Sequence, residues 1–381
     1  MMKIKYWTLL LTGIVFSVLL LSQCQNQKTS VQSFGQVNGQ EVFLYTLENK
    51  NGIKLEIMNY GGTIVRWLAP DRDGNLEDIT LGFNTIEDYL KKSPYFGCLI
   101  GRYGNRIAHG KFELNGKIFT LVTNNDPGGI PCHLHGGIKG FDKRIWDAKL
   151  VKGITGNRLK LHYLSENGEE GYPGNLDITV TYQLTNENKL IIDYEASTDQ
   201  PTPVNLTNHT YFNLQGEGNG DILDHELEIF ADYITPVNPG LIPTGEILPV
   251  AGTPFDFTKP HKIGERINEN HEQLKFGLGY DHNWVLNNQT GELSPAATAY
   301  DSSSGRLLEV FTTEPGIQFY SGNFLDGTLI GKRGKSYPRR SGFCLETQHY
   351  PDSPNQSHFP STILNPGEMY QSRTVYRITV R

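Results

Sequence analysis

Cysteine is scarce in this chain: Cys24, Cys98, Cys132 and Cys344 are four residues in 381, and no two stand at the spacing of a metal finger or a redox pair. A fold built around zinc or stapled by several disulfides is therefore excluded. Buried free thiols are expected, with one disulfide left open as the alternative in an oxidising compartment. Long apolar runs are nearly lacking too: one covers residues 6–21 and none of that length follows. Basic clusters are missing beyond the N-terminus and the net charge is −7, which argues against a nucleic-acid partner. No G-x-G-x-x-G, Walker A, H-E-x-x-H or G-x-S-x-G segment occurs, so nucleotide chemistry, zinc hydrolysis and serine hydrolysis lack their usual signatures. Helical periodicity is confined to residues 85–92 and 263–274. No short repeat and no Pro/Ser linker divides the rest.

The one apolar run has a context. Lys3 and Lys5 precede it and polar residues follow from Gln23, the layout of a secretory signal peptide over residues 1–23. The run is short for a transmembrane helix. Cys24, in Leu21-Ser22-Gln23-Cys24, resembles a bacterial lipoprotein's lipidation site, although Gln23 stands where a small residue is usual. The sequence thus predicts an exported protein, periplasmic or membrane-anchored through lipid on Cys24. Residues 24–33, rich in Gln and Ser, would be a flexible tether, and residues 34–381 one domain.

What dominates that domain is period-two alternation. Ile178, Val180, Tyr182 and Leu184 alternate with polar residues, a turn follows, and Leu190, Ile192 and Tyr194 continue the pattern. Phe112 and Leu114 lead into Asn115-Gly116 and on to Ile118 and Leu121; Asn-Gly suits the positive φ angles of a type I′ hairpin turn. At the C-terminus Tyr376, Ile378 and Val380 are expected to point inward. With 41 Gly, 19 Tyr and 18 Phe, the composition suits strands and turns, and the expected fold is all-β, a single large twisted sandwich.

Several polar, aromatic and glycine-rich segments are more than a sandwich core needs. They include Gly101-Arg102-Tyr103-Gly104-Asn105-Arg106, His133-Leu134-His135-Gly136-Gly137, Asn205-Leu206-Thr207-Asn208-His209-Thr210-Tyr211, Tyr280-Asp281-His282-Asn283, Glu314-Pro315-Gly316-Ile317-Gln318 and Leu345-Glu346-Thr347-Gln348-His349. Together, and in this order, they resemble the aldose 1-epimerase (galactose mutarotase) family from about Phe34 to Arg381. Asn59-Tyr60-Gly61-Gly62, Gly171-Tyr172-Pro173-Gly174 and Gly322-Asn323-Phe324-Leu325-Asp326-Gly327 extend the match. The resemblance implies a β-supersandwich of the galactose mutarotase-like type, with the sugar in an open cleft.

It also implies roles. His209 would be the general acid, because an imidazole gives up a proton readily near neutral pH. Glu346 would be the base; alone, a Glu after Phe343-Cys344-Leu345 would be read as facing solvent. Asn105, Arg106, His135, Thr210, Tyr211, Asp281 and Gln318 would bind substrate, with Arg106 forking to sugar oxygens and Asp281 accepting from neighbouring hydroxyls. Gln318 has a second reading, satisfying adjacent backbone. His133 is read as structural. The His133/His135 pair hints at a metal, but no third ligand is placed, and no metal is assigned. Asp71-Arg72-Asp73-Gly74-Asn75 superficially looks like a calcium loop but lacks the terminal Glu, so a polar turn is preferred.

The implied activity is an isomerase interconverting the α and β anomers of free glucose and galactose, acting as a monomer without a cofactor. Two rivals stand beside it: a carbohydrate-binding protein without turnover, and a glycoside-active enzyme on the same fold. The second would need two carboxylates flanking the bond, and only Glu346 sits in a catalytic-type segment.

Overall fold

The computed structural model describes residues 28–153 and 156–381. The leader and Cys24 lie outside the described residues. Strands make up 43 % of the structure and helices 8 %. All the paired strands run antiparallel, in three main sheets. The first is a five-stranded meander from Lys28–Val37 to Leu76–Asp78. The second has nine strands, in the order Asp147–Val151, Arg158–Ser165, Leu176–Leu184, Lys189–Thr198, Tyr370–Val380, Arg306–Thr312, Ser294–Tyr300, Glu226–Ile229, His261–Lys262. The third has six: Tyr211–Phe212, Phe343–Gln348, Gly316–Tyr320, Asp281–Val285, Tyr233–Thr235 and Leu248–Pro249.

One hydrophobic core runs between these sheets from Tyr45 to Ile378. The strands read from alternation are there. Leu176–Leu184 pairs with Lys189–Thr198, and Lys111–Leu114 pairs with Lys117–Thr120. Asn115 and Gly116 take φ of 52° and 73° at that tip, as a type I′ turn requires. The helix Ile86–Lys92 starts where Thr85 Oγ1 caps the Asp88 amide. The second helical segment breaks into Ile263–Arg266 and Glu272–Gly277.

Two expectations are corrected. Residues 28–33 are not a loose tether: they begin the Lys28–Val37 strand, paired to Gln40–Glu48. This edge strand is largely exposed and needs no apolar alternation, which is why its polar composition disguised it. Val380 is 39 % exposed rather than buried, because it ends the sheet beyond the core. The Asp71 segment is a turn between Thr63–Pro70 and Leu76–Asp78; Asp71 Oδ1 accepts from the amides of Asp73 and Asn75, and Asn75 Nδ2 donates to Oδ2, so the carboxylate is already occupied. The cysteines Cys98, Cys132 and Cys344 are free and buried.

The six-stranded sheet positions the site. Phe343 and Leu345 belong to the core, and Tyr376 of the nine-stranded sheet donates to Leu345 O at 2.9 Å. Thr347 Oγ1 meets Thr374 Oγ1 at 2.5 Å on the same side. Alternation then turns Cys344 and Glu346 to the opposite face, where they meet the side chains of segments far away in sequence.

Candidate active site

That opposite face floors a cleft of about 440 Å³, within the usual range for a small-molecule site. Asn105, Arg106, His135, His209, Tyr211, Asp281 and Glu346 all line it. His209 Nε2 stands 3.6 Å from Glu346 Oε1, and the two residues are 5 % and 2 % exposed. His209 is held by its backbone, which donates to Cys98 O and accepts from Gly97 N. Its ring stacks with Tyr211 at 5.0 Å and with Tyr95 at 5.7 Å, and its Nδ1 lies 3.5 Å from Cys344 Sγ.

Burial sets the protonation of this pair. It lowers the His209 pKa from 6.5 to about 4. It raises Glu346 well above the carboxylate range, and the Asp281 charge adds to the rise while Arg106 opposes it. Together these shifts favour a neutral imidazole beside a neutral carboxyl, a pair that carries one acidic proton. Burial favours that proton on the carboxyl. The Arg106 charge favours the other tautomer, with imidazolium beside carboxylate.

Arg106 and Asn105 come from the end of a short ladder, Arg106–Ala108 against Cys132–Leu134. Asn105 takes φ of 61° and His135 of 52°, and the two residues clasp: the Asn105 amide donates to His135 Nδ1 and the His135 amide to Asn105 O. An accepting Nδ1 leaves the hydrogen of the neutral ring on Nε2, so His135 offers a donor to the cleft. Its pKa is pushed well below 6.5 by burial, and then by His209. Arg106 makes no ion pair within 4.0 Å among the described residues; its Nε donates to Asn125 Oδ1 at 3.4 Å. It is thus no surface ion pair, and it lines the cleft, where a guanidinium can fork to a ligand's oxygens.

Asp281 is 8 % exposed and accepts from Gln318 Nε2 at 2.8 Å. Burial raises its pKa, opposed by Arg106 and Gln318. His282 Nδ1 accepts from the Asp281 amide and its Nε2 lies 3.2 Å from Gln273 Oε1, fixing the backbone under the carboxylate. His133, as expected, is structural: Nδ1 meets Val122 O and Nε2 meets Tyr172 Oη.

Two residues expected in the pocket are elsewhere. Thr210 is buried on the other side and donates to Asn208 Oδ1. Gln318 stands behind Asp281 and orients it, contacting neither cleft nor adjacent backbone through its amide nitrogen. Residues not anticipated are Tyr95, packed edge-on against His135 at 4.7 Å, Asn125, and a rim from Phe324 to Leu329. Phe324 is 52 % exposed and stacks on Tyr320 at 5.8 Å.

His135, His209 and Glu346 each offer one donor atom within 4.8 Å of the others, a cluster that takes in His135 but not His133 of the pair weighed from the sequence. The His135 tautomer argues against a metal, since the nitrogen facing the cleft carries hydrogen. What the arrangement suits is proton transfer on a neutral, hydroxyl-rich ligand.

Comparison with known proteins agrees. The aldose 1-epimerase family model matches residues 44–377. The chain belongs to the aldose 1-epimerase family. Galactose mutarotase from Sus scrofa is 48 % identical over 328 residues, covering 86 % of this chain and 92 % of that protein. Aldose 1-epimerase from Escherichia coli (strain K12) is 39 % identical over 343 residues, covering 89 % and 96 %. The crystal structure of galactose 1-epimerase from Lactobacillus acidophilus NCFM superposes with a TM-score of 0.81 at 31 % identity, covering 93 % of this chain and 99 % of that one. The fold is the galactose mutarotase-like one. The protein is an isomerase that interconverts the anomers of aldoses.

These relatives also correct the localisation. The relatives it matches at 47–48 % identity are mammalian galactose mutarotases, and this overturns the exported, lipid-anchored bacterial placement read from residues 1–33. The family match begins at residue 44, so the leader's composition was being read apart from the domain that carries the relationship.

Proposed function

We propose that this aldose 1-epimerase acts on free hexoses, galactose and glucose among them, with His209 as acid and Glu346 as base. His209 gives its proton to the ring oxygen while Glu346 takes the proton of the C1 hydroxyl. The C1–ring-oxygen bond breaks and a carbonyl forms at C1. Rotation about C1–C2 presents the other carbonyl face, and the reversed transfers close the ring as the second anomer. The pair ends with the proton where it began. No oxidation state changes, so the reaction needs no redox cofactor.

One observation carries the reading: His209 Nε2 and Glu346 Oε1 are 3.6 Å apart in one cleft, though 137 residues separate them along the chain (346 − 209). Asp281 and Arg106 flank them as hydroxyl-reading groups, and His135 supplies a further donor. Asp281, Asp326 and Glu346 line the cleft against a single Lys or Arg, Arg106, a balance that favours an uncharged sugar over a phosphorylated one. The core from Tyr45 to Ile378 supports residues 34–381 acting as one catalytic unit.

Polarimetry on freshly dissolved α-galactose and α-glucose tests this, with an oligosaccharide as control. Glu346→Gln and His209→Asn should each lose roughly 10²- to 10⁴-fold in kcat, the usual worth of a placed acid or base, with KM little changed. Near-wild-type kcat in either variant removes that residue from the mechanism. Release of reducing ends from the oligosaccharide would support a glycoside-active enzyme instead.

A further inference from the structure

Behind the His209–Glu346 pair lies a buried polar cluster that does not line the cleft and, apart from a parallel bridge between Asn205 and Tyr103, stands outside the sheet ladders. At its centre is Asn205, fully buried. Its Nδ2 donates to Gly104 O at 3.3 Å and to His349 O at 3.2 Å, and its Oδ1 accepts from the His349 amide at 3.0 Å. Its backbone accepts from the Gly104 amide at 2.7 Å and donates to Arg102 O at 3.1 Å. Gly104 directly precedes Asn105 and Arg106, Asn205 is four residues before His209, and His349 is three residues after Glu346. One carboxamide thus joins the three segments that supply the active site.

The ladders do not do this. Asn208 and Thr207 pair with Leu99 and Ile100, and Tyr211 and Phe212 pair with Cys344 and Phe343. Between those pairings the backbone around His209 has no register with the Glu346 end of its strand. The Asn205 side chain takes the place of the missing rungs, with one donor and one acceptor on the same His349 peptide.

A second tier holds that peptide. His349 Nδ1 meets Glu314 Oε2 at 2.5 Å, and the Glu314 side chain is almost fully buried. Tyr370 donates to Glu314 Oε1 at 3.1 Å and its oxygen accepts from the Leu206 amide at 3.4 Å. Glu314 therefore reaches the Glu346 strand through His349 and the His209 segment through Tyr370. Burial alone would lower the His349 pKa, but the Glu314 carboxylate outweighs it and raises the value.

We propose that Asn205, backed by the Glu314–His349 pair, is a positioning residue that sets the separation of the proton-transferring groups without touching the sugar. The proposal rests on His209 and Glu346 being those groups. Misplacement of a reacting group by about 1 Å can cost on the order of 10²-fold.

The test compares Asn205→Ala with wild type by polarimetry, by thermal denaturation, and by calorimetric binding of 1-deoxygalactose, which lacks the anomeric hydroxyl. The expected result is a fall in kcat of roughly 10²-fold, with KM and 1-deoxygalactose affinity held within about threefold and an altered pH–rate profile. Glu314→Gln, which keeps a hydrogen bond to His349, should retain more kcat than Glu314→Ala. A folded Asn205→Ala with wild-type kcat overturns the proposal. So does a loss of kcat that is matched by an equal loss of 1-deoxygalactose binding. Should Asn205→Ala fail to fold, Tyr370→Phe, which removes the one oxygen that donates to Glu314 and accepts from the Leu206 amide, is judged by the same two outcomes. His209→Asn and Glu346→Gln run alongside: full activity in those would sink the underlying mechanism, whatever Asn205 does.

Discussion

Acidification from neutral to about pH 5.5 should leave the turnover of this enzyme almost untouched, although its proposed acid is a histidine. The reasoning starts from the stacked rings of Tyr211 and Tyr95 against His209, which keep water from the imidazole. That burial lowers its pKa from 6.5 to about 4, worth roughly 3 kcal/mol against charging the ring while Glu346 keeps its own proton. The working state carries one proton on the pair, and it is lost on the acid side only when a second proton arrives. With that step near pH 4, about 97 % of the enzyme remains in the working state at pH 5.5, against roughly 9 % if it lay at 6.5. The assay is polarimetric kcat/KM for α-galactose from pH 8 down to 5, with the buffer-catalysed rate subtracted at each point. Tyr95→Ala, which admits water to one face of the ring, should move the acid limb upward toward 6.5. A wild-type limb centred near 6.5 would refute the burial argument. A limb unmoved in Tyr95→Ala would refute the part given to that ring.

Three further outcomes are expected. Gly136→Ala should destabilise strongly, because φ there is 83° and the new Cβ would stand 1.8 Å from Gly101 O; a denaturation midpoint equal to wild type would contradict it. Gln318→Leu, which strips Asp281 of its amide donor, should raise the KM for galactose more than it lowers kcat; steady-state polarimetry separates the two, and an unchanged KM would remove Gln318 from substrate orientation. His225, fully buried and accepting from the Leu214 amide, has its pKa lowered to about 4 by burial. Its unfolded form gains a proton below 6.5 that the folded form refuses, so its contribution is intact above 6.5 and is lost as pH falls toward 4. Urea unfolding of wild type and His225→Gln should then diverge by about 2 kcal/mol between pH 7.5 and 5. Parallel losses would show that His225 titrates alike in both states.

Much of the fold was legible because alternation and turn chemistry act locally. The Asn115-Gly116 tip and the Leu176–Leu184 hairpin needed nothing from the rest of the chain. The edge strand Lys28–Val37 was not legible, since its order comes from Gln40–Glu48 and not from its own apolar residues. His209, Glu346 and Asp281, which meet in one cleft, were recognisable through the family resemblance of their segments. Thr210 was misplaced for a reason that was itself available: His209 and Tyr211 face the cleft, so the residue between them faces away. Tyr95 left no trace in the sequence, because its place beside His209 depends on a contact across 114 residues (209 − 95). The leader misled in another way: its composition was interpretable, but nothing in it bears on the relationship that starts at residue 44.

Glu346, Gln318 and Asp281 occupy three neighbouring strands, with Gln318 directly opposite Glu346 and diagonal to Asp281. The sheet therefore acts as a caliper. Its jaws, Asp281 and Glu346, are two strand spacings apart, about 10 Å of backbone that no side-chain substitution can stretch. Retuning this enzyme to another sugar has to come from the length of the teeth, such as Asp281→Glu, or from the rim around Phe324, while the gauge itself stays fixed.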